Sequence, residues 1–192
     1  MNPSPVAASV SAARRARRRP AGFTLIELMV TLAVAALVVG LGAPSFLRTL
    51  ARHAIDAQAG ELQDAVRIGR NEAMKRSGPV VLCRTEENNP GHCAGSGGSW
   101  QTWVLFTDAG RSGTFAAGDA VLRQQQDASK RTTVTADAAS IRFEATGIAH
   151  ADTGSAVFVL AERGAADHAQ RRQVCVNPRG EVAIVAGDSR CP

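Results

Sequence analysis

The feature that most constrains this chain is a run of 20 consecutive residues without a formal charge, from Leu28 to Leu47. Twenty helical residues at about 1.5 Å each reach roughly 30 Å, the thickness of the hydrocarbon core of a bilayer. Five arginines precede the run within residues 1–22, and Arg48 and Arg52 follow it. The sequence therefore predicts a single membrane-spanning helix over residues 23–47. The arginine-rich segment before it is expected to stay in the cytoplasm.

Two simpler interpretations of this segment compete. A cleavable secretory signal peptide has an apolar core of about 7–15 residues that ends in a small-x-small site, and this run is longer and lacks such a site. A plain signal anchor explains the length of the run but not Glu27. A carboxylate beside lipid is costly, so Glu27 requires a partner and marks a functional position.

The charge of the chain is concentrated before the apolar run. The sequence has 22 basic and 17 acidic residues, for a formal net charge of +5. Without the five arginines of residues 1–22, the chain has 17 of each and is formally neutral from Phe23 onward. A uniformly basic nucleic-acid-binding protein is therefore disfavoured.

Beyond the apolar run, small and apolar residues recur at spacings of three and four, which predicts that an amphipathic helix continues over residues 48–78. The helix is expected to run from Phe23 to about Arg76 and to end at Ser77-Gly78-Pro79, with Gly78 as the C-cap. The predicted buried positions are Phe46, Leu50, Ala54, Ala57, Leu62, Ala65 or Val66, Gly69 and Ala73.

Residues 79–192 show short apolar stretches separated by Gly, Asp and Asn, a pattern typical of antiparallel strands. Asn177-Pro178-Arg179-Gly180 predicts a hairpin-type turn. The fold class is therefore α+β, with one long N-terminal helix laid on an antiparallel sheet. The predicted strands are Val80–Arg84, Thr102–Thr107, Ala120–Gln125, Thr132–Thr135, Ser140–Glu144, Ala156–Ala161, Arg172–Val176 and Glu181–Val185.

The string RRRPAGFTLIELMVTLAV resembles the prepilin signature of type IV pilins and type II secretion pseudopilins. The resemblance implies that prepilin peptidase cuts between Gly22 and Phe23 and methylates the new amine of Phe23. It also implies that Glu27 pairs with the N-terminal amine of a neighbouring subunit during assembly. Pro44 matches the helix-kinking proline of many pilins. The alternative is that this proline only ends the membrane span.

The rest of the chain resembles the FimT/GspH family of minor pilins and minor pseudopilins. The similarity rests on Cys83 after a Val-Val-Leu strand, on Cys93, on Phe106-Thr107-Asp108, and on the order of these elements. One departure is Trp100-Gln101-Thr102-Trp103, where many members have a glycine between the tryptophans. The resemblance implies a single-pass inner-membrane protein with a periplasmic head, which joins a pilus or pseudopilus built from other major and minor subunits.

All four cysteines follow the membrane segment, so an exported head with two disulfides is expected. Of the three pairings, we favour Cys83–Cys93 and Cys175–Cys191, because they close local loops. A zinc site is the rival interpretation, but neither cysteine spacing is typical of zinc ligands.

The sequence contains no recognisable catalytic, metal or cofactor motif, and this favours a non-enzymatic subunit that initiates or caps a filament. The alternative is a pilus-associated DNA receptor for natural transformation. FimT-type members that bind DNA carry Gly-Arg-x-Arg near the C-terminus, and the corresponding residues here are Gly180-Glu181-Val182-Ala183. Any weak contact with DNA phosphates is expected at Arg171, Arg172 and Arg179.

Overall fold

A computed structural model of the chain describes residues 22–86, 89–95, 98–126, 131–164, 171–187 and 189–192. The chain divides into two compact units, Met1–Ala43 and Pro44–Pro192. We call the second unit the head. The predicted leader, residues 1–22, lies outside the described residues except for Gly22.

Helix α1 spans Leu25–Arg76, close to the predicted Phe23–Arg76. At its C-terminus the amide of Gly78 donates to the carbonyl of Ala73 (3.2 Å) and the amide of Ser77 donates to that of Met74 (3.3 Å). These two bonds form a Schellman motif, which requires a left-handed residue directly after the helix. That residue is Ser77, with φ of 51°, so the expectation that Gly78 would fill this role was wrong.

The described head residues form eleven strands, which include all eight that the sequence predicted and three that it did not. The strands are β1 Val80–Glu86, β2 Asn89–Cys93, β3 Gly98–Ser99, β4 Trp103–Thr107, β5 Val121–Gln125, β6 Thr132–Ala136, β7 Ser140–Phe143, β8 Ala149–Ala151, β9 Ala156–Glu162, β10 Arg172–Val176 and β11 Val182–Ala186. The three that the sequence did not predict are β2, β3 and β8.

The strands form two antiparallel sheets, where the sequence analysis expected one. The first sheet has the order β5-β4-β1-β7-β8, with β2 also paired to β1. The second has the order β11-β10-β9-β6-β3. Within the second sheet, Val174 of β10 pairs with Ile184 of β11 and with Phe158 of β9. The fold is therefore one long helix packed on antiparallel sheets.

One face of α1 and the inner faces of both sheets form a common core. From Leu62 onward the buried helix positions are those predicted. Earlier, the buried positions are Ala51, Ile55, Gln58 and Ala59, whereas Ala57 is exposed and Phe46 is 62% exposed. The predicted face was thus wrong over its first turns, because alanines lie on several sides there and periodicity alone cannot choose between them. The structure places Gln58 inward, where its side-chain oxygen accepts a hydrogen bond from the buried Thr132 hydroxyl.

A second, smaller apolar cluster lies on the other face of β1 and β4. It contains Val81, Cys83, Val104 and Phe106. The ring of Phe115 packs edge-on against Phe106, with centroids 5.3 Å apart. Strand β1 is therefore buried on both faces, which explains its nearly continuous run of apolar residues.

Candidate functional site

The N-terminal segment begins with three exposed, non-helical residues, Gly22 to Thr24. The Thr24 hydroxyl accepts a hydrogen bond from the amide of Glu27 (3.3 Å), and its carbonyl accepts one from the amide of Leu28 (3.1 Å). Thr24 is thus the N-cap of α1, and Glu27 is the third helical residue, the spacing of a capping box. This role was not predicted from the sequence, although Thr-x-x-Glu before an apolar run is a direct signal for it.

The position of Glu27 in the first turn suits its charge. The amides of the first turn carry a partial positive charge, which favours a carboxylate there. The first turn is therefore a favourable position for the Glu27 carboxylate, for a reason within the helix itself. This reason is independent of any partner subunit.

The described side chains from Leu25 to Leu41 are all exposed. Their exposed fractions include 77% for Leu25, 66% for Leu37 and 80% for Leu41. Among the described residues, α1 is the helix that is long and apolar enough to cross a membrane, with a mean hydropathy of 2.4 over its best window. An apolar surface of this length is unstable in water, so it requires lipid or protein cover.

Helix α1 continues through Pro44, the residue at which the second compact unit begins. The helical segment therefore does not end at this proline. A proline inside a helix removes one backbone donor and permits a bend. The assembly role that the family resemblance assigns to Pro44 remains a prediction.

Two disulfides cross-link the head, Cys83–Cys93 and Cys175–Cys191. This is the pairing that was favoured from the sequence. The first joins β1 to β2 and belongs to the smaller apolar cluster. The second attaches the C-terminal segment to β10. In the described part of the chain, no group of three or more His, Cys, Asp or Glu side chains is arranged to hold a metal ion.

The loop between β4 and β5 is organised by the fully buried Asp108. Its carboxylate accepts hydrogen bonds from the amides of Ser112 (2.8 Å) and Gly113 (2.9 Å) and pairs with Arg142 of β7 at 2.6 Å. A buried carboxylate with this many donors is satisfied where it lies. Asp108 therefore orders the loop that carries Phe115 and has a structural role.

Several hydrogen bonds also hold the turn Asn177–Gly180 in place. The side-chain oxygen of Asn177 accepts from the amides of Arg179 (3.0 Å) and Glu181 (3.1 Å), and its side-chain nitrogen donates to the Glu181 carboxylate at 2.7 Å. This hydrogen bond, and then the nearby charge of Arg179, lowers the pKa of Glu181. The carbonyl of Pro178 accepts from the amide of Ala149, which connects the turn to the first sheet (2.9 Å).

The structure does not gather the three candidate DNA-binding arginines into one patch around this turn. Arg171 and Arg172 lie at the start of β10, whereas Arg179 follows its end, about 13 Å away or more at roughly 3.3 Å per residue. The guanidinium of Arg172 pairs with Asp56 at 2.8 Å, and that of Arg179 lies 3.6 Å from the Glu181 carboxylate. The three arginines therefore do not form one cluster, and their contact with DNA stays a prediction.

This placement predicts only weak DNA binding, with a dissociation constant around 10⁻⁴ M or weaker at physiological salt. Phosphate affinity depends on several clustered cations, and here two of the three arginines face carboxylates. The measurement is fluorescence anisotropy of a labelled duplex with the full-length protein in detergent, at two salt concentrations. A micromolar constant at about 150 mM salt, lost when all three arginines become alanine, would contradict this prediction.

Comparison with known proteins places the chain in a family. Residues 58–180 match the family of type II transport protein GspH, and residues 17–43 match the prokaryotic N-terminal methylation motif. No curated protein sequence matches the chain significantly.

Crystal structures of a minor pilin show the same fold. Two crystal forms of the type IV minor pilin FimU of Pseudomonas aeruginosa are each 18% identical to the chain. One aligns with a TM-score of 0.53 over 72% of this chain and 96% of FimU, and the other with 0.50 over 70% and 98%. The minor pseudopilin EpsH from the type 2 secretion system of Vibrio cholerae aligns with a TM-score of 0.48 and 10% identity, over 68% of this chain and 95% of EpsH.

The fold thus defines a pilin-like protein with an N-terminal methylation motif. The chain belongs to the GspH family, because the family model covers well over half of its length. It is a subunit of the minor pilin and pseudopilin class, whose members are structural proteins that associate with other pilins or pseudopilins. The methylation motif implies processing by prepilin peptidase.

Proposed function

We propose that this protein is a non-enzymatic minor subunit that initiates or caps a type IV pilus or a type II secretion pseudopilus. It is anchored in the inner membrane by residues 23–47, and the head from residue 48 onward lies in the periplasm. The observation that carries the proposal is the apolar helix with its N-cap. Every described side chain of this helix from Leu25 to Leu41 is exposed. That surface suits lipid before assembly and neighbouring apolar helices afterwards.

Glu27 has a specific role in this proposal. Cleavage after Gly22 would create a charged amine on Phe23, four residues before Glu27, whose carboxylate lies in the first helical turn. In a filament of packed apolar helices, neither charge is stable alone, and pairing across subunits offsets the cost of burying both. The same carboxylate would favour neighbours in one axial register. Pro44 would let the apolar segment adjust its angle within such a filament.

Processing is tested by the intact mass of protein extracted from membranes. Co-expression with prepilin peptidase is expected to remove residues 1–22 and to add one methyl group, about 14 Da, to Phe23. The control is Gly22→Val, which places a branched side chain at the cut and is expected to leave the full-length mass unchanged. A mature N-terminus beyond Ala43 would instead identify an ordinary signal peptide.

Assembly is tested by Glu27→Ala and by the isosteric Glu27→Gln. Both variants are expected to remain in the membrane fraction, because removal of a carboxylate lowers the cost of the span, by at most about 2.5–3.5 kcal/mol. Both are expected to be depleted at least about tenfold from sheared filaments, which corresponds to the loss of roughly 1.4 kcal/mol in subunit pairing.

The matched control for Glu27 is Glu61→Ala, on the same helix but within the head. It is expected to enter filaments at the level of the unaltered protein. Normal incorporation of both Glu27 variants would exclude the pairing role. Depletion of Glu27→Ala but not of Glu27→Gln would show that hydrogen bonding, and not charge, is what assembly requires.

A further inference from the structure

A groove of about 330 Å³ lies on the head where α1 passes the ends of two strands. Leu47 and Ala51 of α1 line one side of it, and the other side is formed by Arg131, which precedes β6, and by Glu162 and Arg163 at the end of β9. All five residues belong to the second compact unit.

The two strand-end arginines are held side by side by the backbone. The amide of Arg163 donates to the carbonyl of Arg131 at 2.7 Å. The guanidinium of Arg163 also reaches the carbonyl of Thr132 at 3.4 Å. Because β6 and β9 are paired through Thr132 and Glu162, the spacing of the two arginines is set by the sheet.

The groove combines an apolar side with a mainly basic side. Ala51 is buried, and Leu47 is 58% exposed although it is a large apolar residue. The basic side carries two guanidiniums and one carboxylate, and the exposed Arg48 and Arg52 lie on the same helical turns as Leu47 and Ala51. Guanidinium groups bind phosphate oxygens in a bidentate manner, and apolar side chains beside them favour a ligand that also carries hydrocarbon.

The sequence places this groove beside a membrane surface. Leu47 is the last residue of the uncharged run, whose 20 residues match the thickness of the hydrocarbon core at about 30 Å. If that run spans the bilayer, Leu47 lies at the level of the lipid headgroups. This step depends on the membrane anchoring proposed above.

We propose that the groove binds one anionic phospholipid at the membrane surface. The headgroup phosphate lies between Arg131 and Arg163, and the glycerol and upper acyl chain contact Leu47 and Ala51. The volume is at the lower end of the range for small-ligand sites, about 300–1,000 Å³, which suits a headgroup whose acyl chains remain in the bilayer. The bound lipid would fix the head at the surface before the subunit enters a filament.

The test uses the full-length protein in detergent with equimolar dioleoyl phosphatidylglycerol and dioleoyl phosphatidylcholine. Native mass spectrometry counts the lipids that remain bound. Phosphatidylglycerol is expected to be retained at least about fivefold over phosphatidylcholine at low salt, and this preference should decline as NaCl rises. The variant Arg131→Gln/Arg163→Gln is expected to remove the preference.

The control is Arg111→Gln/Arg190→Gln, which makes the same change in net charge at two exposed arginines outside the groove. It is expected to keep the preference. Equal loss in both double variants would reduce the effect to net charge and overturn the proposal. Because Arg163 also bonds to the Thr132 carbonyl, the tryptophan fluorescence of each variant is compared with that of the unaltered protein to check that the head is folded. The single variant Arg131→Gln, which leaves this bond intact, is tested for lipid preference in the same way.

Two outcomes separate this proposal from the one on which it depends. Failure of the unaltered protein to float with reconstituted vesicles would refute the membrane anchoring itself. Flotation without preference for phosphatidylglycerol at any salt concentration would refute the lipid site alone. If the lipid preference is absent and Arg131→Gln/Arg163→Gln also depletes the subunit from filaments, the groove binds a neighbouring protein subunit instead.

Discussion

Replacement of Gly180 by alanine is expected to destabilise the head by about 2–4 kcal/mol, which is a large share of the roughly 5–15 kcal/mol typical of a domain. A Cβ atom on Gly180 would lie 2.5 Å from the carbonyl oxygen of Gly147 and 3.0 Å from Cδ of Arg70. Residue 180 also has a φ of 71°, a conformation that alanine adopts only at a cost of about 1 kcal/mol. The clash is with backbone, so it cannot be relieved by rotating a side chain.

The reason for this close approach is that the turn joins parts of the head that are distant in sequence. The amide of Ala149 bonds to the carbonyl of Pro178, and the guanidinium of Arg70 bonds to the carbonyl of Gly147 at 3.2 Å. A shift of the turn away from Gly147 would break the first of these bonds. Any new side chain at position 180 therefore perturbs the contact between the two sheets.

The measurement for Gly180→Ala is thermal unfolding of the full-length protein in detergent, followed by tryptophan fluorescence. Both tryptophans of the chain, Trp100 and Trp103, are buried in the head and report on it alone. The melting temperature is expected to fall by roughly 5–15 °C. The matched control is Gly164→Ala, which has a similar φ of 79° but open space around the Cβ position. Equal shifts for the two variants would mean that the contact with Gly147 has no energetic effect.

Replacement of Gly69 by alanine is expected to destabilise the head by about 1–3 kcal/mol, although alanine favours helix. The added Cβ would lie 2.8 Å from both Cδ2 and Cε2 of Phe143 and 3.0 Å from Cδ1 of Leu105. Both side chains are fully buried, so they have little room to move. The helix packs closely against the first sheet at this position, and glycine permits that approach.

The control for Gly69 is on the same helix. No atom lies within 4 Å of a Cβ built on Gly60, so Gly60→Ala is expected to stabilise the head by about 0.5–1 kcal/mol through helix propensity alone. The same chemical change is therefore expected to have opposite signs nine residues apart. Stabilisation by both alanines, in the same fluorescence assay, would contradict the tight packing of Gly69 against Phe143.

The eight predicted strands were recognisable because each carries its own apolar residues between turn residues. Strand β2, with the sequence Asn-Pro-Gly-His-Cys, has none of this character. It is held by the Cys83–Cys93 disulfide and by the bond from the amide of Ala94 to the carbonyl of Arg84 at 2.9 Å. Its strand conformation depends on contacts with β1 and not on local propensity.

The sequence alone determined the features of this protein that depend on neighbouring residues. These are the uncharged run, Glu27 at its start, the end of the helix near Arg76, and cysteines spaced to close short loops. Helix formation, capping and local loop closure all act over a few residues, so their signals are contained in short windows. The same windows carried the resemblance from which the family was predicted.

Only the tertiary structure decided which residues from distant parts of the chain meet. It divided the strands between two sheets, turned Gln58 rather than Ala57 toward the core, and separated Arg172 from Arg179 along β10. It also placed Arg131 and Arg163 beside Leu47. These outcomes depend on the packing of one surface against another, and burial energy is nearly the same for several apolar faces of an alanine-rich helix. The choice is made by the shapes and hydrogen-bonding groups of the opposing sheet, which no short window of sequence contains.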